Sequence, residues 1–87
     1  MHQLEYSVAN QMAPAGNSSV LRNRVREARE ALGLTQEELG QAVGLSRQSI
    51  IAIEKGRFTP SIHTVLSLAA ALRTRADKLF WLDTQGG

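Results

Sequence analysis

Residues 36–55, QEELGQAVGLSRQSIIAIEK, decide how this chain folds. Leu39, Val43, Ile50 and Ile53 recur at helical spacing, so the stretch predicts two short helices, each with a side to bury. Gly44 stands between them, where the backbone usually needs positive φ and only glycine adopts it cheaply. Gly40 is small where the two backbones would approach closely. The second helix then leaves Arg47, Gln48, Ser49 and Ala52 on its outer face. Arginine and glutamine there can pair bidentately with guanine and adenine edges in a major groove. Two helices, a glycine turn and a polar outer face make the helix-turn-helix pattern.

Working outward, the flanking residues mark where each helix starts and stops. Thr35 and Glu38, three residues apart, form a capping box for the first helix of the pair, and Ser46 caps the second. Gly56 stops that second helix, with Lys55 and Arg57 near its negative end. Upstream, Leu21, Val25, Ala28 and Leu32 form an apolar stripe that predicts a helix over about 19–32, ended by Gly33. Downstream, Thr59-Pro60 predicts a fourth helix with proline at its first position. Ile62, Val65, Leu66, Ala69 and Leu72 are expected on its buried side. Thr74 with Asp77 predicts a short fifth helix through Trp81. The fold expected is therefore all-α, with almost no strand signal.

The longer run LGLTQEELGQAVGLSRQSIIAIEKGRFTPS, residues 32–61, resembles the Xre/Cro-repressor family of small bacterial and phage regulators. The resemblance extends over about residues 20–82. A bare helix-turn-helix match is weak evidence, and a helical bundle with a look-alike turn would also satisfy it. The IEKGR turn and the Pro-Ser start of the fourth helix make the match specific. It implies a five-helix lambda-repressor-like DNA-binding domain and a homodimer reading an inverted repeat in double-stranded DNA, most simply as a repressor. By the family's pattern, Ser46, Arg47 and Gln48 approach the bases, with Ala52 one turn later and Ile51 close to the same face. Arg47 is also suited to a phosphate. Gln36, at the positive N-terminal end of its helix, corresponds to the glutamine with which the family clamps the DNA backbone. Lys55 and Arg57 resemble the second phosphate contact, and Ser49 and Thr59 are weaker candidates. The family also pairs an arginine late in helix 1 with the glutamate ending helix 3. Arg29 and Glu54 occupy those places, which implies a structural ion pair.

Composition sets the remaining bounds. Eighty-seven residues suffice for one small domain, and with 5% aromatics its core must be built from Leu, Ile, Val and Ala. There is no cysteine, hence neither a disulfide framework nor a thiolate metal site, which fits a reducing cytoplasm. No apolar run approaches a membrane span, and the first residues lack the order of a signal peptide. The net charge is only +2, so binding to nucleic acid would rest on placed basic residues rather than on a polycation.

Residues 1–18 are expected to form a flexible arm before a domain over 19–82, with 83–87 a tail. Leu4, Tyr6 and Val8 alternate, however, as a short strand added to a partner would. Such an arm suits a second function, an antitoxin that holds a toxin and regulates its own operon. Leu79, Phe80, Trp81 and Leu82 are four consecutive apolar residues on a helix too short to bury them all. They are the expected dimer contact, with an internal lid on the core as the alternative. Nothing points to an enzyme, a metal or a cofactor: His2 and His63 stand alone and the carboxylates are scattered.

Overall fold

A computed structural model describes residues 19–84; the expected arm at 1–18 and most of the expected tail lie outside the described residues. In chain order the elements are β1 (Ser19–Asn23), α1 (Val25–Ala31), α2 (Gln36–Val43), α3 (Arg47–Glu54), α4 (Ile62–Ala71), α5 (Ala76–Leu79) and β2 (Phe80–Thr84). Five helices enclose one core, as in lambda-repressor-like domains, and a two-stranded sheet joins the two ends of the described chain. No helix among the described residues is long and apolar enough to cross a membrane.

The sheet corrects the expectation for helix 1 and for the last helix. β1 and β2 pair antiparallel, from Ser19 opposite Thr84 to Asn23 opposite Phe80, so residues 19–23 are strand and α1 begins only at Val25. Asn23 makes the switch. Its Oδ1 accepts from the Val25 N–H at 3.0 Å and its Nδ2 donates to the Ile53 carbonyl at 3.0 Å. One side chain thus ends the strand, starts α1 and ties both to the end of α3. At the other terminus α5 stops at Leu79, because Phe80 is already extended and pairs with Asn23. Asp83 and Thr84 belong to that strand rather than to a tail.

The capping of α2 follows from residues that are neighbours in sequence. Glu38 N–H donates to Thr35 Oγ1 at 3.0 Å and Thr35 N–H donates to Glu38 Oε1 at 2.9 Å, a closed capping box. For α4 the cap is Ser61, whose Oγ accepts from the Thr64 N–H at 3.1 Å, so Pro60 lies buried just before the helix rather than inside it. Arg75, not Thr74, precedes α5, without a side-chain cap.

The core consists of Val25, Leu39, Ile50, Ile53, Leu68, Ala69, Leu72, Leu79 and Phe80. Each large aliphatic side chain here contributes about 1.5–3 kcal/mol through burial. Leu79 and Phe80 are 1% and 8% exposed, so the core takes two of the four residues expected at the dimer contact. Trp81 is half-buried with the Arg24 guanidinium 5.0 Å from its ring centroid, and only Leu82 is exposed. For Leu79 and Phe80 the lid is the correct description. Leu32, Ile62 and Leu66 were expected in buried stripes and are instead exposed. Leu32 lies beyond the last turn of α1, and α4 is apolar on more than one side, so spacing alone could not say which side turns inward.

Gly44 ends α2 with φ of 75°, in the left-handed region. Gly40 is needed for closeness instead: a Cβ built there would lie 2.4 Å from the carbonyl oxygen of Leu45. The Leu45 N–H donates to the Gly40 carbonyl at 2.8 Å, which draws the turn against α2. Gly40→Ala must push α2 and the turn apart and should destabilise the domain by about 1–3 kcal/mol. Urea unfolding followed by circular dichroism checks this; an unchanged midpoint would mean that the turn relaxes without loss.

Candidate nucleic-acid interface

Three helices are held in fixed relation by one carboxylate. Glu54, at the last position of α3, accepts from Arg29 Nε on α1 at 2.6 Å and from Arg29 Nη2 at 3.3 Å. The same carboxylate accepts from Gln36 Nε2, at the first position of α2, at 3.1 Å. Arg29 Nη1 donates onward to the Leu34 carbonyl at 2.9 Å, in the link between α1 and α2. The Arg29 and Glu54 side chains are 10% and 5% exposed, well shielded from water. The hydrogen bond from Arg29 to Glu54 raises the guanidinium pKa, burial opposes it, and the charges of Glu54 and Glu30 add to the rise.

The outer face of α3 is set by what its inner face buries. Ile50 and Ile53 are buried in the core, so Arg47 and Gln48 are carried to the opposite side, where both are exposed. Ser46 caps the helix by accepting from the Ser49 N–H at 3.1 Å, and the two hydroxyls also lie 3.1 Å apart. Ser49 is therefore engaged at the cap and half-buried. Ile51 and Ala52 are half-buried along the flank of the helix, while Lys55, Arg57 and Thr59 are exposed past its end.

Beside this face lies an open cleft of about 580 Å³ between α1, the start of α2 and α3. Arg29, Gln36, Arg47, Ile51, Glu54 and Lys55 line it, so the structure brings six of the predicted residues into one concavity. Ser46, Gln48, Ser49, Ala52, Arg57 and Thr59 do not line it. Arg26 does, and sequence reasoning missed it. It sits on α1 with its side chain 68% exposed, paired to Glu30 at 3.2 Å. Its position three residues before Arg29 would place it near the same helix face, a signal available only once Arg29 is assigned to the cleft.

A mainly helical domain in which a capped third helix, set against the second by a glycine turn, carries Arg47 and Gln48 exposed beside an open cleft is a helix-turn-helix DNA-binding domain. The chain belongs to the helix-turn-helix family of DNA-binding transcriptional regulators, whose family model matches residues 25–79. Over 67 residues it is 49% identical to an HTH-type transcriptional regulator of Methanothermobacter thermautotrophicus, covering 76% of this chain and 97% of that protein. It is 38% identical over 65 residues to the regulator YgzD of Bacillus subtilis, covering 75% and 98%. Among solved structures, it is similar to the restriction-modification controller protein C.AhdI of Aeromonas hydrophila. That match has a TM-score of 0.59 and 37% identity, over 62% of this chain and 82% of that one. The P22 c2 repressor, solved in complex with a synthetic operator, matches with a TM-score of 0.60 and 33% identity over the same shares. These relatives are regulators, not enzymes.

Removing one partner of the Glu54 cluster should be worse than removing both. Glu54→Ala strands the Arg29 charge and should destabilise by about 2–4 kcal/mol, between the values for exposed and deeply buried pairs. Arg29→Met with Glu54→Leu should lose markedly less. Because the Arg29 pKa is raised, its contribution is full below the ordinary guanidinium value and fades only above it. The stability difference between the parent and the Arg29→Met/Glu54→Leu double variant should thus stay flat from roughly pH 6 to pH 9, as thermal unfolding across that range can check.

Proposed function

We propose that this protein is a sequence-specific repressor that binds an inverted-repeat operator as a homodimer, with α3 in the major groove. The observation that carries the proposal is the exposure of Arg47 and Gln48 on a helix whose other side is locked into the core by Ile50 and Ile53. A rigid mount matters because base readout needs side chains held in register with the groove.

Arg47 pairs with the N7 and O6 acceptors of guanine, and Gln48 with the N6 and N7 of adenine. Ser46 and Ile51 flank them, and Ala52 offers only a methyl, suited to a thymine methyl. Gln36 clamps a phosphate at the start of α2. One of its amide N–H groups donates to Glu54, so the second N–H remains for the phosphate oxygen. Lys55 and Arg57 hold the next phosphates beyond α3, with Arg26 joining from α1. Ser49, tied to the cap, and Thr59 contribute less. Two copies reading one duplex place their α3 helices about 34 Å apart, one helical turn, which is why the target is an inverted repeat.

Arg47→Ala with Gln48→Ala should remove discrimination of the selected site by about 1–3 kcal/mol per lost base pair contact while leaving the fold intact. Lys55→Ala should weaken binding to all sequences alike and flatten the salt dependence by about one unit of slope. Fluorescence anisotropy against a duplex selected from a random pool, and against a scrambled one, measures both. A double variant that keeps the same preference at unchanged affinity would remove the base-reading assignment.

A further inference from the structure

The cleft is lined by the cations Arg26, Arg29, Arg47 and Lys55 and by the carboxylates Glu30, Glu37 and Glu54, which are not equally free to act. Glu54 is committed to Arg29 and Gln36. Glu37 is exposed and makes no ion pair among the described residues. Glu30 stands between two guanidinium groups. Its Oε2 accepts from Arg26 Nε at 3.2 Å and lies 4.0 Å from Arg29 Nη2. Arg26, Arg29 and Glu30 follow at positions i, i+3 and i+4, so all three lie on the side of α1 that borders the cleft.

The two arginines differ in what they can give up. Arg29 is buried and holds both Glu54 and the Leu34 carbonyl. Arg26 is well exposed, and its one bond to Glu30 uses Nε, which leaves the Nη1 and Nη2 fork unbonded among the described residues. An exposed i,i+4 pair contributes little, because water screens it and two long side chains must be held in place. A phosphate in the cleft offers the fork two oxygens and a bidentate, charge-assisted contact, the stronger of the two. The same phosphate repels the Glu30 carboxylate. Glu30 has a second partner within reach. Closing 4.0 Å to hydrogen-bond distance from Arg29 takes about 1 Å of side-chain movement.

We infer that Glu30 changes partner, from Arg26 to Arg29, when a duplex enters this cleft as read above, and so releases Arg26 to a backbone phosphate. Glu30 is a positioning residue with two settings. In the free protein it holds Arg26 along α1; on DNA it closes onto the cluster around Glu54. Every duplex must part Arg26 from Glu30, so the carboxylate lowers affinity for all of them. Because the released contact goes to the backbone, sequence preference is left to α3.

The test uses the full chain, a selected duplex and a scrambled one, with anisotropy followed across a salt series. Glu30→Gln should tighten binding to both duplexes about threefold, since nothing then holds Arg26 and no carboxylate faces the phosphate. Arg26→Gln should weaken both about fivefold and lower the salt slope by about one unit. The combination Arg26→Gln with Glu30→Gln keeps the parent's net charge. It should still bind about threefold or more weaker than the parent, again with a slope lower by about one. Glu27→Gln removes a charge from the same helix outside the cleft and should change affinity far less than Glu30→Gln. All four variants should unfold thermally close to the parent, because the positions are exposed. The Nε–Hε signals of Arg26 and Arg29 should both move as the labelled parent is titrated with duplex. In Glu30→Gln the Arg29 signal should move less. A double variant with the parent's affinity and slope would mean that the pair stays closed on DNA. Weaker binding by Glu30→Gln would mean that Glu30 presents Arg26 rather than yielding it. Equal tightening by Glu27→Gln would reduce the effect to net charge. Each of these overturns the partner exchange while leaving DNA binding intact. A parent that binds neither duplex would overturn the reading of the cleft itself.

Discussion

The Glu54 carboxylate is the constraint on which the arrangement of this molecule depends. It ends α3, receives the Arg29 guanidinium from α1 and the Gln36 amide from α2, and through Arg29 reaches the Leu34 carbonyl. A charge so shielded from water is tolerable only with its partners in place. Their positions fix those of the three helices that border the cleft. The hydrophobic core underneath supplies most of the stability, but apolar contacts are not directional. The ion-pair cluster adds direction. It also brings Gln36, at the mouth of the cleft, under the control of the helix that carries Arg47 and Gln48.

A second tie runs through Asn23. By donating to the Ile53 carbonyl and accepting from the Val25 N–H, it anchors the sheet to the end of α3. The β1–β2 ribbon therefore does more than close the chain. It braces α3 from the side opposite the turn, so the helix is supported at its start by Gly40 and Leu45 and at its end by Asn23 and Arg29. A helix of eight residues would be marginal alone. Here its register and tilt are imposed by neighbours, which is what reading base edges demands.

Local features were legible in the sequence. The Thr35/Glu38 box, the Ser46 cap and the left-handed Gly44 each involve residues within a few positions of one another, and each has a distinct side-chain chemistry. What escaped was nonlocal. Val20 and Leu21 pair with residues more than sixty positions away, and nothing in SVLRN alone separates that strand from a first helical turn. The run Phe80-Trp81-Leu82, aromatic and apolar, looks in sequence like the end of a helix with an outer face. Its pairing with Asn23 and Leu21 became visible only in three dimensions. The outward turn of Ile62 and Leu66 escaped for another reason, since α4 has apolar residues on several sides and the core takes only one. Of the cleft, the family resemblance supplied Gln36, Arg47 and Lys55, while Arg26 needed the packing of α1.

The claim at the centre is that the exposed face of α3 enters duplex DNA. Backbone amide shifts recorded while the labelled protein is titrated with its selected duplex address this most directly. The largest changes should fall on residues 46–52 and on Gln36, with Lys55 and Arg57 next and the Trp81 side of the sheet unmoved. Changes confined to the sheet, with residues 46–52 unaffected at saturation, would contradict the account.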